Sequence, residues 1–203
     1  MRLKFLVAFI LVFGYLISFG QDKNLKTLQS YNFESIFGYL GDDSLNVYCL
    51  LGQGFFRTPR SDNFDSLIVE WIEKSPQAYV IPVSSMSPTM TDIPDSKMTY
   101  CWIINELDTL NIFLVRQGCF PGGTMQKHTL KYIKSPIFGS FGLFENIRIR
   151  RENSKMMRDT KSKVENYVKR KDYNDFIENI IEAENFAKKN KLGIWKDIEL
   201  KTD

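Results

Sequence analysis

Histidine is nearly missing from this 203-residue sequence: His128 stands alone, and cysteine is limited to Cys49, Cys101 and Cys119. A zinc centre needs three or four imidazole and thiolate ligands at short spacings, and these four residues match no such pattern. The cysteines are odd in number and have apolar neighbours (Tyr48, Leu50, Tyr100, Trp102, Phe120), which predicts small buried thiols. One disulfide plus a leftover thiol is the alternative. Net charge is also scarce, +3 in all, so composition by itself argues for no polyanion partner. No internal repeat is present. Pro121-Gly122-Gly123-Thr124 lacks the glycine-lysine-Ser/Thr ending of a phosphate loop. Beyond residue 19, no apolar run approaches the ~20 residues a bilayer-spanning helix requires, so no transmembrane helix is expected in the mature chain.

What is present begins with a targeting pattern. Arg2 and Lys4 precede the charge-free stretch Phe5 to Phe19, and Ser18-Phe19-Gly20 offers small residues at the cleavage positions. Residues 1–20 are therefore expected to be a signal peptide of bacterial type, Gln21 the mature N-terminus, and the protein periplasmic or secreted. A retained membrane anchor is the alternative. The remainder is long enough for one domain with a true core. Its charge is uneven: Arg148 to Lys171 carries ten basic residues against three acids. That excess is either a solvated face or a surface for nucleic acid or membrane.

Residues 21–34 read as a lead-in, and 35–203 as a single domain. Ser35–Leu40 and Leu45–Leu51 are strand-like runs around the turn Gly41-Asp42-Asp43-Ser44. Phe64, Leu67, Ile68, Trp71 and Ile72 recur at helical spacing between a cap at Asp62 or Asn63 and the stop at Ser75-Pro76. Ala78–Val83 and Met98–Asn105 read as strands, with a loop over 84–97 between them. Leu110, Phe113, Leu114 and Gln117 share one face of a helix that Gly118 ends. From Asp172 a longer helix follows, with Tyr173, Phe176, Ile177, Ile180, Ala183 and Ala187 in step. Strands, a helix, more strands and a helix across one end predict an α+β fold built on a small barrel.

Two phrases carry a resemblance. Leu114-Val115-Arg116-Gln117-Gly118 and the run Glu182 to Trp195, ending in Leu192-Gly193-Ile194-Trp195, stand in the order and style of the thermonuclease (staphylococcal-nuclease-like) family. The resemblance covers roughly 62–118 and 172–195, with the 125–171 region enlarged. It implies an OB-type β-barrel with packed helices. It also implies calcium-assisted phosphodiester hydrolysis by metal-holding carboxylates, a glutamate near the attacking water and two arginines on the phosphate. One arginine should precede the strand at Tyr100; Met98 stands there, with Lys97 the nearest cation, a poor substitute for a bidentate fork. One alignment retains Asp43, Arg57 and Asp62 or Asp65. A stricter one puts Tyr48, Gln53 and Phe56 at the family positions and retains nothing.

The expectation is a binding module whose hydrolytic centre has lapsed, with Arg57, Arg60 and Lys97 contacting a polyanion or nucleic acid and no cofactor. An active calcium-dependent nuclease using Asp43, Arg57 and Asp62 is the alternative. An envelope protein meeting a partner through Phe138, Phe141 and Phe144 is a second alternative. Cys119 and His128 could form a thiol-imidazole pair; a core cysteine and a surface histidine are the simpler reading.

Overall fold

The computed structural model describes residues 25–53, 58–88, 93–128 and 163–196. In chain order its elements are β1 (Lys26–Thr27), β2 (Tyr31–Phe33), β3 (Phe37–Leu40), β4 (Asn46–Cys49), α1 (Phe64–Lys74), β5 (Tyr79–Ser87), β6 (Lys97–Ile104), α2 (Leu110–Arg116), β7 (Lys163–Asn166) and α3 (Arg170–Lys189). Short 3₁₀ turns occupy Leu28–Ser30, Gly122–Met125 and Gly193–Trp195. The predicted signal peptide, Arg57, Phe138, Phe141, Phe144 and most of the basic stretch lie outside the described residues.

The strands form one sheet in the order β1-β5-β6-β4-β3-β2, with β7 also paired to β5. Every pairing is antiparallel except β4 with β6. The two ends of that order, β1 and β2, are one stretch of chain interrupted only by Leu28–Ser30. The same segment therefore reaches both rims, and the sheet nearly closes on itself. The result is an α+β protein with a barrel-like sheet, its strand order consistent with an OB-type barrel.

Two boundaries depart from the sequence expectation. Lys26–Phe33, expected within a lead-in, is the closing segment of the barrel. Strands of two and three residues carry too few side chains to register as alternation. Ser84–Ser87, expected in a loop, extends β5, because β7 supplies a partner along its second edge. A run of serines has little strand propensity, and a strand arriving from 80 residues away decides the matter.

The helices follow their apolar stripes. Ile68 and Trp71 of α1 enter the core, and the helix stops at Ser75 as expected. In α2 the buried face is Leu110, Asn111, Leu114 and Val115, so a polar residue takes a position the pattern had left outside. The Asn111 amide donates to the carbonyls of Leu50 (2.7 Å) and Cys101 (3.1 Å), and its oxygen accepts from Ile103 N–H (3.2 Å). It thereby ties α2 to β6 and to the end of β4. The α3 helix lays Phe176 against Trp102, rings stacked at 4.2 Å.

The two phrases that carried the resemblance meet in space. Gly118 (φ +70°) ends α2, and Gly193 (φ +52°) follows α3. Ile194 N–H donates to Gly118 C=O at 2.9 Å. A Cβ on Gly193 would stand 2.5 Å from the Gly118 carbonyl carbon and closer to its oxygen; one on Gly118 would stand 2.6 Å from the Leu192 carbonyl carbon. Only glycine permits both the left-handed turns and this approach. Lys188 completes the clasp, paired with Glu184 at 3.3 Å and lying 4.6 Å over the buried Trp195 ring.

Candidate functional site at the barrel mouth

Strand alternation and one irregularity decide what lines the barrel at the Lys97 end. On β6, Tyr100 and Trp102 face outward, covered by the 122–125 turn and α3, so Thr99, Cys101 and Ile103 face inward. Opposite them on β5 the register shifts between Pro82 and Ser84. The extra residue restores Ser85, the partner of Thr99, to the inward face. The freed carbonyl of Val83 accepts from Tyr167 N–H at 2.9 Å, which fixes the end of β7. Glu165, Ser85, Thr99 and Tyr48 are then successive partners across β7, β5, β6 and β4. Deeper in, the same face is apolar, with Val80 opposite Ile103.

Two hydrogen-bonded groups make up this polar mouth. In one, Tyr167 OH donates to Glu165 Oε2 (2.6 Å) and lies 2.7 Å from Ser85 Oγ, while Lys97 Nζ donates to the same carboxylate at 3.2 Å. The Lys97 ammonium also sits 5.3 Å over the Tyr167 ring. Hydrogen bonds from Tyr167 and Lys97 hold the Glu165 carboxyl below the usual range. Burial pulls Lys97 down, but Tyr167 and Glu165 outweigh it and raise it. Both partners are therefore charged at neutral pH, and they offset each other. In the second group, Thr99 Oγ1 donates to Asn46 Oδ1 (2.8 Å) and Asn46 Nδ2 donates to Tyr48 Oη (3.3 Å). Tyr48 is also hydrogen-bonded to Tyr31, whose ring meets it edge-on at 4.9 Å. Burial raises both phenols above their ordinary value, so they stay neutral.

The residues singled out from sequence scatter around this centre. Asp43 Oδ1 accepts from the N–H groups of Leu45 (3.0 Å) and Asn46 (3.2 Å), shaping the turn that starts β4. Asp62 opens α1 at the other end of the β3–β4 hairpin. There Ser35 donates to Asp65, one helical turn on, and Phe37 pairs with Cys49. Six residues of strand at ~3.3 Å each separate Asp43 from that end, far beyond the ~6 Å of a shared charge site. Arg60 lies 5.7 Å over the Phe64 ring, and its charge reaches Cys49. Among the described residues of the predicted set, Lys97 alone lies in the mouth. Gln53 N–H donates to Gln126 C=O at 2.6 Å, beyond the end of β4. Arg57 and Phe56 fall outside the described residues.

Cys119 and His128 do not pair. Cys119 is fully buried beside Ser61, and His128 is buried rather than at the surface, its N–H donating to Ser84 Oγ (2.9 Å) and its Nδ1 3.3 Å from that oxygen. All three cysteines are buried free thiols, and burial pushes Cys49 up to about 12. Among the described residues no group of three or more His, Cys, Asp or Glu side chains could hold a metal ion. Nor does any described helix have the length and apolarity to cross a membrane.

Sequence reasoning missed Tyr31, Asn46, Ser85, Glu165 and Tyr167. It also missed Phe37 and Tyr39, two residues apart and partly exposed on the outward side of β3. Comparison with protein families, curated proteins and solved structures finds no match to this chain.

Proposed function

We propose that this is an exported, thermonuclease-like barrel that binds a polyanion without hydrolysing it. Supporting the family reading are the helix positions, one between β4 and β5, one after β6 and one near the C-terminus, and the meeting of Gly118 with Gly193. Export rests on the charged-then-apolar pattern of residues 1–20. The observation that carries the lapse of hydrolysis is the set of residues at the Lys97 end of the barrel. Where the family resemblance calls for an arginine before the Tyr100 strand stands Met98, on the outward face with Tyr100, and on the strict alignment Tyr48 takes one of the remaining family positions. Tyr48 is engaged with Asn46 and Tyr31, and Lys97 is committed to Glu165.

Binding is supported by the outer surface at the hairpin. Phe37 and Tyr39 present ring surface on β3. Exposed aromatic faces suit single-stranded nucleic acid, since each stacked base contributes ~1–3 kcal/mol whatever its identity.

Fluorescence anisotropy with a labelled single-stranded oligonucleotide tests the proposal. Affinity should fall steeply with salt, Tyr39→Ala should weaken it about 5- to 100-fold, and the probe should remain intact with added calcium. Calcium-dependent cleavage would restore the nuclease alternative, and absence of binding at low salt would reject the polyanion reading.

A further inference from the structure

Strand pairing fixes the place where the amino-terminal tail leaves the barrel. β6 runs along one edge of β5, so β1 and β7, paired with Tyr79–Val80 and Ser84–Ser87, share the other edge. Both strands are antiparallel to β5, and their open ends approach each other. Leu25 precedes Lys26 and so lies toward Ile81, while Tyr167 N–H reaches Val83 C=O and Val168 continues toward Pro82. Leu25 and Val168 therefore arrive within about two residue steps of each other, ~7 Å along the edge. Both pack against the core.

Basic side chains collect at this point. Lys26 stands just inside the tail, and Val168 is followed by Lys169, Arg170 and Lys171, all four exposed. The acid next in sequence is Asp172, half-buried in the first turn of α3. The helix gains nothing from these cations: Lys169 makes no side-chain cap hydrogen bond, and positive charge at a helix start opposes the dipole. A strand and a helix remote in sequence thus place cations on one face. Tyr79, exposed opposite Thr27, adds a ring of the kind that settles at headgroup level.

The tail decides what that face meets. Only Gln21 to Asn24 separate the targeting pattern of residues 1–20 from Leu25. Fully extended, such a link reaches ~17 Å. While residues 1–20 remain attached and lie in a bilayer, this face cannot turn away from it.

We propose that the face formed by Lys26, Lys169, Arg170 and Lys171 docks on the anionic headgroups of a phospholipid membrane. Each cation brought to such a surface strengthens binding about fivefold. Together they hold the mature chain at the membrane reversibly once residues 1–20 are removed. The proposal shares the targeting pattern with the export reading, and the polyanion surface at Phe37 and Tyr39 has no part in it.

Co-sedimentation of the mature chain, from Gln21 onward, with vesicles of phosphatidylglycerol or of phosphatidylcholine tests it. The chain should bind the anionic vesicles alone, and less as salt rises. Lys169→Gln, Arg170→Gln and Lys171→Gln combined should weaken that binding about 100-fold, and Lys26→Gln by itself about fivefold. All four side chains are exposed, so the urea midpoint should hardly move. The triple variant should keep its oligonucleotide affinity, and Tyr39→Ala should keep its vesicle affinity. The proposal is overturned if the mature chain ignores anionic vesicles at low salt, or if the triple variant binds them as well as the parent. It is equally overturned if the triple variant loses oligonucleotide and vesicle affinity in the same proportion, which would make the patch part of a nucleic-acid surface.

Discussion

Replacing Gly193 by alanine separates what the clasp contributes from what any left-handed glycine contributes. Gly41 provides the control: its φ is +53°, close to the +52° of Gly193, but nothing lies within 4 Å of a Cβ built there. Gly41→Ala should therefore lose only the conformational term, about 1–2 kcal/mol for an L-residue in the left-handed region. Gly193→Ala incurs the same term and adds an overlap that no rotamer can relieve, because its neighbours are the backbone carbonyls of Gly118 and Gln117. The chain must move apart there, which breaks the Ile194 to Gly118 hydrogen bond, about 1 kcal/mol. It also lifts the buried Trp195 from its seat, which adds about 1–3 kcal/mol. The expected loss is about 3–6 kcal/mol, against about 1–2 for the control. Urea unfolding at matched m-values measures both. Equal losses in the two variants would refute the claim that the terminal turn is anchored by backbone contact with the end of α2.

Two further perturbations probe the interior. Asn111→Ala strands the carbonyls of Leu50 and Cys101 and the N–H of Ile103 in the core, and should cost about 3–5 kcal/mol by urea unfolding; a loss below about 1 kcal/mol would show that those groups find other partners. Burial lowers His128 from 6.5 to about 4, so the unfolded chain takes up a proton that the folded one resists. The resulting stability is complete above pH ~6.5 and is lost as pH falls toward ~4, about 3 kcal/mol in all. His128→Gln should flatten that part of the pH profile, and an unchanged slope would move its origin elsewhere.

Sequence pattern gave most of the secondary structure because the stripes of α1, α2 and α3 and the alternation in β6 are long enough to show their period. The glycines of the clasp were legible as helix ends, but their approach to each other was not, because a glycine that turns the chain and one that admits a neighbouring backbone look the same in sequence. The mouth left no mark. Its bulge depends on register between β5 and β6, and Glu165 and Tyr167 belong to β7, which reaches Ser85 across 80 residues of chain. Asp43 illustrates the opposite failure. Asp, Asn and Ser in a turn satisfy the backbone there, and a carboxylate spent in that way looks in sequence like one held ready for a metal. His128 was expected outside the core, yet its only visible role is to share two hydrogen bonds with Ser84, a partner 44 residues away.

The eight residues Lys26 to Phe33 bridge the free flank of β5 and the free flank of β3. Removal of that segment would therefore expose two unsatisfied peptide ladders at once. Such paired open flanks are where extended chains add to one another. The same short segment that seats Leu28 and Phe33 in the core thus also keeps two edges of the sheet covered.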